Sequence, residues 1–137
     1  MNSEENFIIE DAEKEESKNF FFDAYAFYEI IKENQNYKKY LNVGITTTKL
    51  NLFELYHVFL KENTEDLAET FLKKYYPFTV DFDENVIVEA ARLKIKLNKR
   101  DVSMTDCVGY CFAKQLDIKF LTGDNAFEGM ANVEFVK

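Results

Sequence analysis

Four acidic residues stand at places in this 137-residue chain where a carboxylate could act on a substrate. Asp23 ends the apolar run Phe20-Phe21-Phe22, and Asp124 follows a second run from Ile118 to Thr122. Asp106 comes three residues after Ser103, and Glu54 falls inside an apolar-periodic stretch that begins near Thr47 and Thr48. Taken singly, each has an ordinary structural use. Asp23 and Asp124 suit the N-cap of whatever helix follows, Ser103-Met104-Thr105-Asp106 has the form of a capping box, and Glu54 suits the solvated side of a helix. Gathered in one place they would repel and raise one another's pKa unless a cation compensated them. Mg²⁺ or Mn²⁺ prefers such hard oxygen ligands and keeps positions open for water and phosphate. That combination suits phosphodiester cleavage by metal-activated water.

Whether the acids meet depends on the elements that carry them. Asn19 to Phe22 has the continuous apolar character of a strand buried on both faces. Tyr25, Phe27, Tyr28 and Ile31 have helical spacing over 24–31, and Asn34-Gln35-Asn36 breaks the chain before Tyr37 to Leu41. Val43 to Thr46 reads as a second strand. Thr47 or Thr48 then caps a helix carrying Leu52, Leu55, Tyr56 and Phe59, and Thr64 caps the next, with Leu67, Phe71 and Leu72. Pro77, the only proline, ends that helix and introduces Phe78-Thr79-Val80 as a third strand. Asp81 to Glu84 open a helix running through Val86 to Leu97, Ser103 caps another to about Gln115, and Ile118 to Thr122 is a strand. Gly123-Asp124-Asn125 turns the chain into a helical turn around Phe127 and Met130, and Val133 to Val136 is the closing strand.

Helices alternating with short apolar strands indicate an α/β fold with a mostly parallel central sheet of about five strands, covered on both faces. Parallel strands share one C-terminal edge, where ligands bind in open α/β sheets. Asp23 and Asp124 both fall at that edge.

Composition bounds the rest. Apolar residues make up 47% and aromatics 16%, enough to close a core in one domain of this length. Cys107 and Cys111 lie four apart on one helix, which argues against a disulfide and for packing in a reducing compartment. Phe7-Ile8-Ile9 lacks the basic start and apolar length of a secretory signal, and no run reaches membrane-spanning length, so a cytoplasmic protein without a membrane partner is expected. The net charge of -8 is concentrated in residues 1–18, an acidic tail expected to be flexible, where seven acids face Lys14 and Lys18. Without the four candidate ligands the remainder is slightly basic, with Arg92, Lys94, Lys96, Lys99 and Arg100 close in sequence, so acidity is no veto on RNA. His57, the only histidine, suits a surface or partly packed position.

Four blocks carry a resemblance to a known family. Phe20-Phe21-Phe22-Asp23-Ala24-Tyr25-Ala26 resembles the opening strand and first acid of the PIN-domain nucleases, particularly VapC-like toxin ribonucleases. Thr46 to Leu55 resembles their second strand and helical Glu, Leu97 to Ala113 the stretch with the third acid, and Phe120-Leu121-Thr122-Gly123-Asp124-Asn125-Ala126-Phe127 the strand, Thr-x-Asp turn and Phe that carry the fourth. The resemblance spans residues 19–137 as one nuclease domain. It implies a three-layer α/β/α sandwich, Mg²⁺ or Mn²⁺ held by Asp23, Glu54, Asp106 and Asp124, endoribonuclease activity, a homodimer and, for a toxin of a type II toxin-antitoxin pair, an antitoxin partner. Many members carry Thr or Ser and then Asn after the first acid; this chain has Ala24 and Tyr25, so a hydroxyl is missing there. Thr122, Asn51 and Asn125 are candidates to support the acids by hydrogen bonding. Competing readings are a PIN-like scaffold that binds RNA or protein without catalysis, and a housekeeping RNA-processing nuclease. A receiver-like phosphotransferase fits less well, because the first strand offers one acid rather than a pair.

Overall fold

A computed structural model describes residues 18–137, so the expected acidic tail lies outside the described residues except for Lys18. Four strands form the sheet: β1 (Asn19–Phe22), β2 (Gly44–Thr46), β3 (Lys119–Thr122) and β4 (Val133–Phe135). Their order is β2-β1-β3-β4 and every pairing is parallel. β1 leads through α1 (Ala24–Ile31) and a 3₁₀ segment (Gln35–Tyr40) to β2 on one side. After α2 (Lys49–Lys61), α3 (Glu65–Tyr75), α4 (Glu84–Lys96) and α5 (Met104–Gln115), the chain returns to place β3 on the other side of β1. The gap beyond β1 and β3 is therefore the topological switch point of the sheet, where helices on either side diverge and leave a crevice.

The strand alternation separates two cores. Phe21 pairs with Phe120 and Phe22 with Leu121 in adjacent register, and successive side chains point to opposite faces. Phe22 and Leu121 meet Phe27 of α1, Leu52, Leu55 and Phe59 of α2, and Ala68 and Tyr75 of α3. Phe21 and Phe120 meet Val86 and Ala90 of α4 and Cys107 and Phe112 of α5. The result is the expected α/β/α sandwich. Phe21, Phe22, Phe27, Phe59, Phe120 and Phe127 are fully buried, whereas Phe53 and Phe78 are exposed.

One strand does not form. Phe78-Thr79-Val80, expected as a third strand, contributes a single bridge between Thr79 and Thr47, which leaves four strands rather than about five. Pro77 lies within the 3₁₀ turn Tyr76–Phe78, which uses up the residues that would have extended the strand. The caps divide similarly. Thr48, not Thr47, caps α2, while the buried Thr47 hydroxyl donates to the Phe22 carbonyl at 2.9 Å and ties β1 to the loop after β2. Thr64 occupies the N-cap position of α3 but makes no capping bond, because its hydroxyl donates to the Phe59 carbonyl. The 3₁₀ segment takes in Gln35 and Asn36, expected as a break, and ends at Tyr40, and the turn before β4 spans only Asn125–Phe127.

Among the described residues, Cys107 and Cys111 are free thiols, and no helix is long and apolar enough to cross a membrane.

Candidate metal centre

Each of the four acids is delivered to the switch point by a different local device. Asp23 is the first residue after β1 and the N-cap of α1, its Oδ1 accepting from the Ala26 amide at 2.9 Å. Asp124 follows β3 by two residues and caps the Asn125–Phe127 turn through the Ala126 amide at 3.0 Å. Asp106 sits in the first turn of α5 in a complete capping box: Ser103 Oγ accepts from the Asp106 amide, and Asp106 Oδ2 accepts from the Ser103 amide, both at 3.0 Å. Gly109, one turn further, lets α5 lie directly on the sheet, since a Cβ there would press into the buried rings of Phe21 and Phe120. Glu54 projects from α2, where Ser103 Oγ donates to its Oε1 at 3.2 Å and links α2 to α5.

These devices bring Asp23, Glu54, Asp106 and Asp124 to one cleft of about 510 Å³, whose lining includes Tyr25, Tyr28 and Glu29 of α1 and Glu62 just beyond α2. Among the described residues, no lysine, arginine or histidine lines it, and none of the ion pairs involves the four acids. A larger groove of about 640 Å³ between α4 and α5 has only one carboxylate, Glu89, beside Arg92, Lys96 and Lys114, and lacks this concentration of hard ligands.

The electrostatics follow from burial without a counter-ion. Asp23 is 2% exposed, and its pKa is pushed up to about 8, first by desolvation and further by Asp106 and Glu54, against hydrogen bonds from Thr122 and Ala26 that favour the ionised form. Glu54 is raised by burial and then by Asp106, with the Ser103 hydrogen bond opposing. Asp106 is also raised by burial, opposed by its capping bond to Ser103 and reinforced by Asp124. A neutral pH environment thus leaves Asp23 neutralised by a proton or in need of a cation.

The donor set fits a hard divalent ion in its chemistry, being all oxygen and net anionic. Its conformation is not yet that of a closed ligand shell: among the described residues, no three Asp, Glu, His or Cys side chains are drawn together into a ready metal cluster. The caps explain the difference. Asp23, Asp106 and Asp124 each commit one carboxylate oxygen to a backbone amide, which leaves the second oxygen of each without a backbone bond.

The supporting candidates divide. Thr122 is buried at the end of β3, where its Oγ1 accepts from the Asp124 backbone amide at 3.1 Å and its hydroxyl, beside Asp23, favours the ionised form of that acid. Asn125 lines a neighbouring hollow with Arg100, Asp101 and Asp124. Asn51 does not line the cleft; it is fully buried and accepts a 2.6 Å hydrogen bond from Thr48. His57 lies in a separate apolar groove with Phe53 and Tyr76. The basic run disperses: Arg92 pairs with Glu89, Lys94 donates to the Val102 carbonyl, and Arg100 donates to the Ala126 carbonyl beside the turn after Asp124.

Tyr25, Tyr28, Glu29 and Glu62 were not singled out as site residues in the sequence. Spacing offered a signal. Tyr25, Tyr28 and Glu29 follow Asp23 on one helical face, and Glu54, Val58 and Glu62 recur every four residues along α2.

Solved structures share this architecture. A toxin-antitoxin complex from Klebsiella pneumoniae matches with a TM-score of 0.64 at 13% identity, covering 83% of this chain and 94% of that one. VapBC2 from Rickettsia felis, solved bound to a DNA fragment from its promoter, matches with a TM-score of 0.66 at 17% identity, covering 87% and 99%. A Pyrobaculum aerophilum protein matches with a TM-score of 0.65 at 15% identity, covering 86% and 90%. Identities this low establish a shared fold. No curated protein sequence matches the chain. The model of the PIN domain family matches residues 20–133, from β1 to the first residue of β4 and across all four acids, and the chain belongs to that family.

Proposed function

We propose that this protein is a Mg²⁺- or Mn²⁺-dependent endoribonuclease in which Asp23, Glu54, Asp106 and Asp124 would hold the cation directly or through water. The observation that carries the reading is the meeting of three carboxylates from three separate element junctions and a fourth from within α2 in a cleft that, among the described residues, has no cationic side chain in its lining. When bound, the ion would supply an activated water and charge stabilisation for phosphodiester hydrolysis. The protein's own residues set the stage for it. Thr122 holds the Asp124 backbone beside Asp23, Ser103 ties Glu54 and Asp106 together, and burial of Asp23 would make cation binding and proton release one coupled event.

The biological role we propose is that of the toxin in a type II toxin-antitoxin pair in the cytoplasm, with an antitoxin as partner and a homodimer as the working unit. Membership of the PIN family and likeness to toxin-antitoxin structures support it. So does an apolar face for a partner to cover: Phe53 is 75% exposed and Tyr76 51% around a groove also lined by Leu52, Leu60 and Leu72. The domain reading is a single nuclease domain over residues 19–137.

The test is incubation of purified protein with labelled single-stranded RNA in Mn²⁺ or Mg²⁺, alongside EDTA and an Asp106→Asn variant. Metal-dependent cutting lost in both controls is expected. Undiminished cutting by Asp106→Asn would remove the metal assignment, and no cutting by the folded wild type across a broad RNA panel would favour a binding scaffold.

A further inference from the structure

The cleft presents an anionic wall to a substrate that is itself anionic. A metal ion neutralises part of that repulsion, but a phosphodiester also needs hydrogen-bond donors to fix its orientation. Among the described residues lining the cleft, only Tyr25 and Tyr28 carry a side-chain donor once the carboxyls are ionised. Tyr28 has already committed its hydroxyl, which donates to Glu62 Oε2 at 2.7 Å. No hydrogen bond of the Tyr25 hydroxyl is found among the described residues, although the residue stands two positions after Asp23 in the cleft lining.

Tyr25 is also held in place. Gly123, between Thr122 and Asp124, packs against its ring so closely that a Cβ at 123 would collide with both that ring and the Val136 carbonyl. The ring is therefore seated on the turn that carries Asp124, and Lys137 Nζ lies 5.9 Å from its centroid. A phenol anchored by its ring, packed on one side against the core and lining an anionic cleft, with no hydrogen-bond partner for its O–H among the described residues, has the form of a substrate contact as well as a packing residue.

Resting on the nuclease reading above, we propose that Tyr25 is a substrate-binding residue whose phenolic O–H donates to a non-bridging oxygen of the RNA phosphodiester lying over the four acids. The contact is sequence-independent, since every RNA has the same phosphate.

The test compares wild type, Tyr25→Phe and Tyr56→Phe, the last removing a phenol from a part of α2 that does not line the cleft. Binding of a fluorescently labelled, randomised pool of single-stranded RNA is measured by anisotropy in Ca²⁺, with melting temperature and Mn²⁺ affinity recorded for each protein. Tyr25→Phe keeps the ring on Gly123, so folding and Mn²⁺ affinity are expected to be unchanged while RNA affinity falls about tenfold, as for one lost hydrogen bond to a charged group. Tyr56→Phe is expected to bind as wild type does. Equal binding by wild type and Tyr25→Phe, a loss shared by Tyr56→Phe, or no binding by the wild type overturns the proposal. A wild type that binds through Tyr25 yet never cuts in Mn²⁺ would remove the nuclease reading and leave Tyr25 as an RNA contact.

Discussion

Replacing Asp23 by Asn removes the charge that the fold accommodates least well, and the consequence can be worked through. The carboxyl ordinarily titrates at 3.8 and in the folded protein at about 8. Between those values the folded state holds a proton that the unfolded state has released. The contribution of Asp23 to the stability of the metal-free protein is therefore most favourable below pH 4, falls as pH rises, and reaches its full deficit above pH 8. At pH 7 about three pH units of that window have been crossed, each worth about 1.4 kcal/mol, giving a deficit of about 4 kcal/mol. Asparagine carries no such charge. Its amide oxygen can still accept from Ala26 and its amide nitrogen can face the Thr122 hydroxyl, so Asp23→Asn is expected to recover about 2–4 kcal/mol at pH 7, or about 6–12 °C in melting temperature. Urea denaturation in EDTA at pH 4, 6, 7 and 8 reads this directly: the advantage of the variant should be near zero at pH 4 and grow with pH. The same variant should lose Mn²⁺-dependent RNA cleavage and the stabilisation that Mn²⁺ gives the wild type. A variant less stable than wild type at pH 7, or an advantage flat with pH, would refute the reasoning.

Other residues give further expected outcomes. Ser103→Ala removes both the α5 cap and the donor to Glu54, so urea denaturation should show a loss of about 1 kcal/mol. Because that hydroxyl lowers the pKa of Glu54 and Asp106, its loss should also move the acid limb of the pH–rate profile to higher pH. Gly109→Ala should destabilise the protein despite gaining about 1 kcal/mol of helix propensity, because overpacking against Phe21 and Phe120 costs about 1–3 kcal/mol; equal or greater stability in the same measurement would contradict the close approach of α5. Thr47→Val deletes the hydrogen bond to the Phe22 carbonyl next to Asp23 and should cost about 1 kcal/mol, with Mn²⁺ affinity by calorimetry falling as the end of β1 loosens.

Much of this arrangement was legible in the residues. Continuous Phe20-Phe21-Phe22 and the Phe120-Leu121 pair announce strands buried on both faces, and both are found at the centre of the sheet. The positions of Asp23 and Asp124 at one edge followed from parallel order alone. What escaped was tertiary. Phe78 to Val80 has the composition of a strand, but Pro77 holds the preceding turn and Thr79 finds only Thr47 to pair with. Thr64 looks like a cap, yet its hydroxyl has a better partner in the Phe59 carbonyl across the α2–α3 corner. Asn51 shares a helix with Glu54, but the nearer Thr48 hydroxyl takes it. Capping and cleft lining are not alternatives for Asp23, Asp106 and Asp124: one oxygen caps a backbone amide and the residue still lines the cleft. No local pattern distinguishes a cap that only caps from a cap that also faces a crevice, because the difference lies in which strands neighbour one another.

The central claim is that Asp23, Glu54, Asp106 and Asp124 form the cation site. The most direct measurement is anomalous diffraction from crystals grown in or soaked with Mn²⁺ at pH 8, where Asp23 is ready to give up its proton. The account predicts anomalous density among these four carboxylates, with their free oxygens turned toward it. Fully occupied Mn²⁺ elsewhere and none in this cleft would contradict it.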